Sequence, residues 1–451
     1  MDKVPVPPQL KELSQFFTQK GFRVYLVGGA VRDIFLNKKE DDWDVATDAT
    51  PEQVASLFKR IIPTGIEHGT VTIPFRDKMI ECTTFRTEQG YTDGRRPDSV
   101  AYAGTIEEDL SRRDFTMNAI AVSLPDGCVI DPFDGRTDIK KGIIRTVGTA
   151  SERFSEDGLR PLRAVRFASQ LGFVIEDATL DAIAPALPVT ARVAKERIRD
   201  ELIKTLTAPV PSTGLRFMER TGLLQLILPE LQACRGVDQK GLHKHDVLDH
   251  LLLSCDSCRT ANLELRLAAL FHDIGKPAVR ALDASGGYTF YNHETVSAHI
   301  ATSIMEQLRF PLKIIKCVTH LVAQHMFHYE SSWTDAAVRR FIVRVGEDSI
   351  DMLFELRFAD SYAISGMVTD QTLVSEFRLR IQALIEGAHA FSLKDLQING
   401  KDLFLLGIKS GPQTGYILKE LLEAVLEDPE LNSRERLIAI ALEIYNKLQI
   451  T

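Results

Sequence analysis

Two aspartates separated by one residue, Asp42 and Asp44, are the side chains best suited to do chemistry in this chain. If residues 42–45 form a strand, both carboxylates project from one face, because side chains two apart on a strand share a face. Two neighbouring carboxylates repel each other unless a cation lies between them. Such oxygen ligands suit magnesium, and two-metal phosphoryl transfer requires carboxylates of this kind. We expect Glu81, in a later predicted strand, to be a third carboxylate on the neighbouring strand.

A glycine pair, Gly28 and Gly29, separates a predicted strand over residues 24–27 from a predicted helix over residues 30–37. Without side chains, the backbone N–H groups of such a turn can approach a phosphate closely, and the start of a helix favours negative charge. Arg32, one turn into the helix, could bind phosphate oxygens with both guanidinium N–H groups. The pattern matches neither the Walker A motif nor the Rossmann fingerprint.

Each of these motifs is weak alone, since glycine turns and acidic loops are common, but their order along the chain is more specific. The motifs are GGAVRD at 28–33, DWD at 42–44, RRDFTMNA at 112–119 and EDGLR at 156–160. This series resembles the class II tRNA nucleotidyltransferases, the CCA-adding enzyme and poly(A) polymerase family of the DNA polymerase beta superfamily. The resemblance covers about the first half of the chain.

The resemblance implies that tRNA, CTP and ATP are the substrates. The tRNA 3′-hydroxyl would attack the α-phosphate, and pyrophosphate would leave. Mg²⁺ would bind Asp42 and Asp44, and Glu81 would complete the catalytic carboxylates. The implied nucleotide-binding residues are Gly28, Gly29, Arg32, Arg113, Asn118, Asp157, Arg160, Arg163 and Arg166. Among them, Gly29 and Arg32 would hold the triphosphate.

Asp157 and Arg160 are the implied readers of the base, which would make a nucleic-acid template unnecessary. An aspartate offers acceptors and an arginine a fixed fork of donors. A helix would bring residues three apart to neighbouring positions. Arg163 and Arg166 continue in steps of three and drift around a helix, so we expect them to support the pocket or contact phosphates. Pro161 requires the helix to begin close by or to kink.

Several functions remain open at this stage. The polar stretch 91–97 resembles the flexible loop of enzymes that add the terminal A, which favours complete CCA addition, or A addition with a CC-adding partner enzyme. Residues 152–157 resemble the tRNA enzymes more than poly(A) polymerases, and poly(A) synthesis is the main alternative. Two further hypotheses are a signalling phosphohydrolase whose head only senses nucleotides, and an RNA-binding scaffold.

A second set of candidate ligands lies in the middle of the chain. It consists of His250, His272, Asp273, His293, His325 and Asp360, with the His-Asp pair inside LFHDIGK at 270–276. The pattern resembles the HD superfamily of metal-dependent phosphohydrolases. That resemblance implies a metal on His250, His272, Asp273 and Asp360, with His293 and His325 as additional ligands or phosphate contacts.

Imidazole and carboxylate together suit Ni²⁺, Mn²⁺ or Zn²⁺, and a bound metal would generate hydroxide for phosphoester cleavage. Some related tRNA nucleotidyltransferases carry such a module with phosphatase or 2′,3′-cyclic phosphodiesterase activity. A vestigial module that only packs or binds RNA is the alternative.

The elements that position these residues change character along the chain. The first 150 residues alternate strands, turns and helices, and apolar residues recur at helical spacing from about residue 156 onward. We expect an α+β fold with a DNA polymerase beta-like head on a mixed sheet and a long all-α body that includes an HD domain. The predicted domains are a head (1–150), a helical nucleotide-reading and RNA-binding neck (151–240), an HD domain (241–365) and a helical tRNA-contacting region (366–451).

The 451 residues and net charge of −8 indicate a multidomain globular protein. An acidic chain can bind RNA through local positive charge, because electrostatic effects are screened beyond about 10 Å. No apolar run is long enough to span a membrane, and residues 1–10 lack the apolar core of a signal peptide, so a cytoplasmic location is expected. Cys255 and Cys258 form a CxxC that we interpret as reduced structural thiols. The oligomeric state stays open.

Overall fold

The chain packs as two units, each described by itself below. The computed structural model describes residues 3–38, 42–66, 69–89, 99–239, 244–282, 287–366, 371–387 and 392–450. Unit 1 comprises Met1–Ala233 and Ile304–Phe310, and unit 2 comprises Cys234–Ser303 and Pro311–Thr451. The finer boundaries at residues 150, 240 and 365 stay predictions. The polar stretch 91–97 lies outside the described residues.

A mixed seven-stranded sheet forms the centre of the head. The strands of the head are β1 (Val24–Val27), β2 (Asp44–Thr47), β3 (Ile62–Gly65), β4 (Thr70–Phe75), β5 (Lys78–Thr84), β6 (Arg86–Gln89), β7 (Ser99–Tyr102), β8 (Ala121–Ser123) and β9 (Val129–Ile130). The sheet order is β3-β4-β5-β2-β1-β8-β9, and β6 pairs with β7 in a separate ribbon. Only the β2–β5 pair is parallel; the other neighbours in this sheet are antiparallel. All four residues of β1 are buried, as expected for a central strand covered on both faces.

Short helices surround this sheet, and longer ones follow it within unit 1. They are α1 (Pro8–Thr18), α2 (Gly29–Phe35), α3 (Pro51–Leu57), α4 (Ile106–Ser111), α5 (Gly135–Lys141), α6 (Ala150–Glu156), α7 (Arg160–Leu171), α8 (Asp177–Asp181), α9 (Leu187–Thr190), α10 (Lys195–Leu206), α11 (Pro211–Thr221), α12 (Leu223–Ile227) and α13 (Pro229–Gln232). A parallel two-residue pairing joins β10 (Ile143–Ile144) to β11 (Val174–Ile175). Pro161 lies in the first turn of α7, where its missing N–H is tolerated, so the expected helix start is confirmed.

Two local expectations differ from the structure. Asp42 does not belong to the strand, because β2 begins at Asp44, the first residue of this segment that pairs with both β1 and β5. Asp157 does not lie on a helix, because α6 ends at Glu156 and Asp157 is extended (φ −134°, ψ 110°). Gly158 explains this turn: a Cβ at Gly158 would lie 2.6 Å from the carbonyl oxygen of Val189, so the backbone passes directly against α9.

In its described residues, unit 2 is helical apart from one short antiparallel strand pair. Its helices are α14 (Val247–Asp256), α15 (Leu263–Phe271), α16 (Lys276–Val279), α17 (His293–Gln307, with its last residues in unit 1), α18 (Leu312–Gln324), α19 (Asp335–Val345), α20 (Glu347–Ser365), α21 (Gln371–Glu386), α22 (Gly400–Leu405), α23 (Pro412–Glu427) and α24 (Arg434–Ile450). This pair joins β12 (Ala281–Leu282) to β13 (Tyr288–Thr289). The predicted α+β head with a helical body is confirmed. None of the described helices has the length and apolar character needed to cross a membrane.

One core of unit 2 forms where α14, α15, α18 and α20 pack together, and a second lies among α22, α23 and α24. All residues of α15 from Leu265 to Phe271 are buried, including Arg266. Asn262 accepts a hydrogen bond from the N–H of Leu265 and caps this helix. The buried helix ends in the His-Asp pair, so the packing fixes where that pair lies.

Candidate functional site

The glycine turn between β1 and α2 brings a cation and a carboxylate together. Gly28 has φ +72° and ψ −139°, a conformation that favours glycine. A Cβ at this position would lie 3.3 Å from Nη1 of Arg113 and 3.5 Å from Oδ2 of Asp44. A side chain at residue 28 would therefore crowd the Arg113 guanidinium by a few tenths of an ångström and contact the Asp44 carboxylate. The structure thus brings three of the predicted site residues into contact.

The carboxylates of the head lie on adjacent strands. Asp44 on β2 is directly opposite Glu81 on β5 in the parallel register, which confirms that Glu81 belongs to a neighbouring strand. Burial, reinforced by Glu81 and Asp42, raises the pKa of Asp44 to about 6, although Arg113 opposes the shift. Asp42, in the segment before β2, is thus close enough for its charge to raise the pKa of Asp44. Among the described residues, Asp42, Asp44 and Glu81 do not form a group with all ligand atoms within 4.8 Å of one another, but a hard divalent cation would relieve the repulsion that Glu81 and Asp42 exert on Asp44.

Arg113 is held in place by a fully buried carboxylate that the sequence reading missed. Asp109 on α4 has 0% exposed side chain and lies 3.1 Å from Nη2 of Arg113 and 2.8 Å from Nη2 of Arg112. Burial alone would raise the pKa of Asp109, but the two arginines outweigh it and lower it. The spacing of four residues between Asp109 and Arg113 is a helical ion-pair signal that could have identified this contact.

Arg32 and Asn118 belong to one hydrogen-bonded chain. Nη1 of Arg32 donates to Oδ1 of Asn118 at 3.0 Å, and Nδ2 of Asn118 donates to Oδ1 of Asp114 at 3.2 Å. Nε of Arg163 donates to the other oxygen of Asp114 at 2.6 Å. Burial alone would raise the pKa of Asp114. The interactions with Arg163 and Asn118 outweigh the effect of burial and lower this pKa to about 2. This series of hydrogen bonds connects Arg32, beside the glycine turn, to Arg163 on α7.

A buried phenylalanine organises the arginines of α7. The ring centre of Phe167 lies 5.2 Å from the guanidinium carbon of Arg32, 5.6 Å from that of Arg163 and 3.9 Å from that of Arg166. Arg166 also donates to Oε2 of Glu201 at 2.6 Å, and both side chains are buried. These contacts favour a supporting role for Arg163 and Arg166 over direct contact with a nucleotide. Their role as ligands stays a prediction.

The two predicted base readers, Asp157 and Arg160, flank the turn between α6 and α7. Nη1 of Arg160 pairs with Glu156 and Nη2 donates to the carbonyl oxygen of Arg112 at 3.0 Å. Oδ1 of Asp157 accepts the N–H of Leu159 at 2.9 Å. The RRD segment and the EDGLR segment are thus in direct contact, and reading of the base by Asp157 and Arg160 stays a prediction.

The second candidate site lies in unit 2 and gathers all six residues predicted there. His250 lies on α14, His272 and Asp273 follow α15, His293 begins α17, His325 follows α18, and Asp360 lies on α20. Two groups of three, His250–His272–Asp273 and Asp273–His293–His325, each place their ligand atoms within 4.8 Å of one another. Asp360 joins the first group, with Oδ1 3.2 Å from Nε2 of His250. The distant Asp360 is therefore brought to the cluster by α20.

The histidines are oriented by backbone carbonyls. Nδ1 of His272 lies 2.9 Å from the carbonyl oxygen of Ala269, Nδ1 of His293 2.8 Å from that of Phe290, and Nδ1 of His325 2.7 Å from that of Val322. A carbonyl can only accept, so each Nδ1 carries the proton and each Nε2 points into the cluster. This is the arrangement that metal-binding histidines use.

The charge balance of the cluster also fits a bound cation. Burial alone would lower the pKa of His272, but Asp273 and Asp360 raise it to about 10. Burial alone would raise the pKa of Asp273, but Lys276, 2.6 Å away, and His272 hold it well below its usual range. Two buried carboxylates therefore require positive charge at this place, which a metal ion would supply with imidazole and oxygen ligands.

The CxxC pair lies in the same unit, and its surroundings fit its interpretation as structural thiols. Cys255 and Cys258 are free and buried. Burial raises the pKa of Cys258 to about 12, which keeps the thiol protonated and unreactive. Their burial and the absence of a disulfide between them fit structural thiols, and the reduced state stays a prediction.

Three sequence-family models match successive segments of the chain. Residues 24–145 match the poly A polymerase head domain, residues 172–234 match a family described as "Probable RNA and SrmB- binding site of polymerase A", and residues 289–441 match tRNA nucleotidyltransferase domain 2. His250, His272 and Asp273 fall between the last two segments. The HD resemblance therefore stays a prediction.

Curated relatives and solved structures agree over nearly the whole chain. The CCA-adding enzyme of Levilactobacillus brevis is 37% identical over 94% of this chain and 95% of its own. The CCA-adding enzyme of Lactobacillus johnsonii is 33% identical over 93% and 92%. The crystal structure of the Bacillus stearothermophilus CCA-adding enzyme with CTP has a TM-score of 0.73 and 30% identity over 98% of this chain and 99% of that one. With relatives this similar over their full length, the chain belongs to the family of CCA-adding enzymes, the tRNA nucleotidyltransferases.

Proposed function

We propose that this protein adds C and A from CTP and ATP to the 3′ end of tRNA without a nucleic-acid template. The observation that carries the proposal is the meeting of Asp44 and Arg113 at the Gly28 turn, with Glu81 opposite Asp44 on the adjacent strand. Carboxylates for metal ions and a cation for phosphate thereby surround a stretch of backbone without side chains. Complete CCA addition is favoured over poly(A) synthesis and over A addition alone, because the full-length relatives are CCA-adding enzymes.

Asp42, Asp44 and Glu81 are the proposed ligands of Mg²⁺. When bound, magnesium would lower the pKa of the attacking hydroxyl and neutralise charge on the triphosphate. The 3′ oxygen of tRNA forms a bond to the α-phosphorus of the nucleotide, and the bond from that phosphorus to the bridging oxygen of pyrophosphate breaks. Arg113 faces the place where this negative charge collects, and Arg32 provides a second donor one helical turn beyond the glycines.

Selection of the base follows from what Asp157 and Arg160 can accept and donate. Cytosine and adenine both present an exocyclic amino donor, whereas uracil-type and guanine bases present a carbonyl oxygen at the equivalent position. The Asp157 carboxylate, which only accepts, would favour the amino group. The donors of Arg160 would meet an acceptor on the same edge. A single pair of side chains can therefore favour both correct nucleotides.

A primer series tests this function. The protein is incubated with Mg²⁺, labelled CTP and ATP, and tRNAs that end at the discriminator base, at C or at CC. We expect C, C and A to be added in that order, followed by a stop. A long A tail would support poly(A) polymerase instead, and A addition to the CC primer alone would indicate dependence on a CC-adding partner. Absence of incorporation on every primer would reject the polymerising function.

We further propose that the buried cluster of unit 2 binds a transition metal such as Ni²⁺, Mn²⁺ or Zn²⁺ and hydrolyses phosphoesters. The support is the convergence of four Nε2 atoms on two carboxylates, three of them oriented by backbone carbonyls. When bound, the metal would activate water. Hydrolysis of a phosphomonoester and of a 2′,3′-cyclic phosphate, measured with each metal added to chelated protein, tests the proposal. A cluster that binds no metal would leave only a packing or RNA-binding role.

The predicted domains extend this proposal to the rest of the chain. Residues 151–240 would read the nucleotide and bind RNA, residues 241–365 would form the HD domain, and residues 366–451 would contact tRNA. We place the reaction in the cytoplasm, where tRNA ends are made and repaired. Protection of tRNA from cleavage by the full chain, and its loss after substitution of lysines in residues 394–447, would test the C-terminal contact.

A further inference from the structure

An arginine outside every motif holds the predicted base reader Asp157. Arg197 lies on α10, 40 residues further along the chain, and no sequence pattern marks it. Its Nη2 lies 3.0 Å from Oδ2 of Asp157, and its Nη1 lies 3.4 Å from Oδ1. The side chains are 28% and 19% exposed, so the pair lies at the edge of the unit and has access to solvent. This is a two-pronged contact between a guanidinium fork and a carboxylate.

The contact matters because the backbone alone does not orient the Asp157 side chain. Asp157 is extended between two helices: its N–H donates to the carbonyl oxygen of Arg153 in α6, and its own carbonyl oxygen accepts the N–H of Arg160, so these backbone bonds leave its side chain free to rotate. The adjacent Gly158 fixes the backbone against α9, since a Cβ there would lie 2.6 Å from the carbonyl oxygen of Val189. The remaining freedom is rotation of the carboxylate. The N–H of Leu159 fixes one oxygen, and Arg197 fixes both.

Counting acceptor sites shows what this arrangement leaves for a nucleotide. An ionised carboxylate offers about four lone-pair sites. Leu159 and Nη1 of Arg197 use the sites on Oδ1, and Nη2 of Arg197 uses one on Oδ2. One acceptor site on Oδ2 is left. A single, fixed acceptor distinguishes an amino donor from a carbonyl oxygen better than a carboxylate that can rotate.

We infer that Arg197 is a positioning residue for base selection: it holds the Asp157 carboxylate so that one acceptor site is presented to the exocyclic amino group that cytosine and adenine share. The inference rests on the proposed function and assigns a specificity role to a residue that touches neither metal nor phosphate in that proposal. Loss of Arg197 should affect only the Asp157 carboxylate, which would accept a hydrogen bond from the base. Arg160, which would donate hydrogen bonds to the base, is held separately by Glu156 and by the carbonyl oxygen of Arg112.

The test compares Arg197→Ala and Arg197→Lys with the parent enzyme. The measurement is kcat/KM for CTP and for UTP on a tRNA that ends at the discriminator base. We expect Arg197→Ala to lower the CTP/UTP ratio by about tenfold or more, the size of one lost charge-assisted contact. Arg197→Lys should restore part of the ratio, because lysine keeps the charge and lacks the fork. Lys204→Ala, which removes an exposed cation from the same helix, should leave the ratio unchanged.

The outcomes separate this inference from the proposed function. Equal losses of CTP and UTP incorporation in Arg197→Ala would overturn it, because they would indicate a general structural role. It would also be overturned if Arg197→Ala lowered the ratio further in an Asp157→Asn background, since the effect must pass through Asp157. If Arg197→Ala does not fold, Arg197→Lys carries the test, and an unchanged ratio in that variant contradicts the inference. A parent enzyme that incorporates no CTP would instead refute the proposed function and the inference with it.

Discussion

The two acidic sites of this protein are built in opposite ways. In the head, Asp44 and Glu81 are opposite each other on two strands and both keep access to solvent, while partial burial of the Asp44 carboxylate and repulsion from its neighbours raise its pKa to about 6. In unit 2, Asp273 is buried among histidines, and Lys276 and His272 hold its pKa well below the usual range. In the first site, burial and repulsion among carboxylates outweigh the one opposing cation, Arg113, whereas in the second site the cations outweigh burial.

This difference teaches how each site would use a metal. An open pair of carboxylates is completed by whatever binds next to it, which suits a metal that arrives with a triphosphate. A buried cluster of oriented imidazoles is assembled by the fold itself, which suits a metal that stays. We therefore expect substitutions in the head to affect turnover and substitutions in the cluster to affect metal content.

The largest expected effect is on nucleotide incorporation. Asp44→Ala should lower incorporation by on the order of a thousandfold, because a lost metal ligand removes several kcal/mol of charge stabilisation. Phosphoester hydrolysis by the cluster should be unchanged. Both activities are measured on the same preparation. Asp77→Ala, an exposed aspartate in the β4–β5 turn, is the control. Equal loss of both activities in Asp44→Ala would contradict the division into two sites.

A substitution in the histidine cluster of unit 2 tests the second site. His272→Ala should lower the affinity for a transition metal by at least about a hundredfold, because it removes a ligand that a carbonyl orients. Incorporation of CTP should stay near the parent rate. Metal content after dialysis is the measurement, and His299→Ala, exposed on α17, is the matched control. A cluster variant that keeps its metal would refute the ligand assignment.

Nucleotide choice should respond to Asp157 by a smaller amount. Asp157→Asn keeps the shape of the side chain and replaces one acceptor by a donor, so discrimination between CTP and UTP should fall about ten- to a hundredfold. The ratio of kcat/KM values measures this effect. Glu152→Gln, exposed on α6, should leave the ratio as it is. Unchanged discrimination in Asp157→Asn would exclude a role in reading the base.

The smallest expected effect is on stability and depends on pH. Asp114 has a folded pKa of about 2, below the unfolded value of about 3.9, so its contribution is present above about pH 4 and is lost as the pH falls towards 2. Asp114→Asn should therefore destabilise the head by about 2 kcal/mol at neutral pH. The difference from the parent protein should shrink in acid. Thermal unfolding at several pH values measures it, with Asp126→Asn in an exposed turn as the control. A constant difference across this range would show that Asp114 does not act through its charge.

The sequence predicted those parts of the structure that depend on residues close together in the chain. The apolar run of β1 followed by two glycines required a strand and a turn, and the structure has both. Glu81 on the strand next to Asp44 was also predicted correctly. The strand around Asp42 was not, because β2 begins at the residue where pairing with both neighbours becomes available, and a two-residue periodicity does not reveal that limit.

Partners distant in sequence could not be predicted. Glu201 and Arg197 on α10 neutralise Arg166 and Asp157, which lie 35 and 40 residues earlier, and no spacing connects them. Asp109 was within reach of sequence reasoning, since it lies four residues before Arg113, the spacing of a helical ion pair, although α4 itself ends at Ser111. The functional groups were thus visible in the sequence, while most of the groups that hold them depend on how the helices pack.

The ring of Phe167 has a consequence for the arginines around it. Three guanidinium groups gather near one neutral side chain, and the negative face of the ring offsets part of their mutual repulsion. A leucine at this position would occupy similar space without that electron density. The cationic groups would then spread apart, and the loss would reach the proposed triphosphate-binding residues through Arg32, although Phe167 itself is buried.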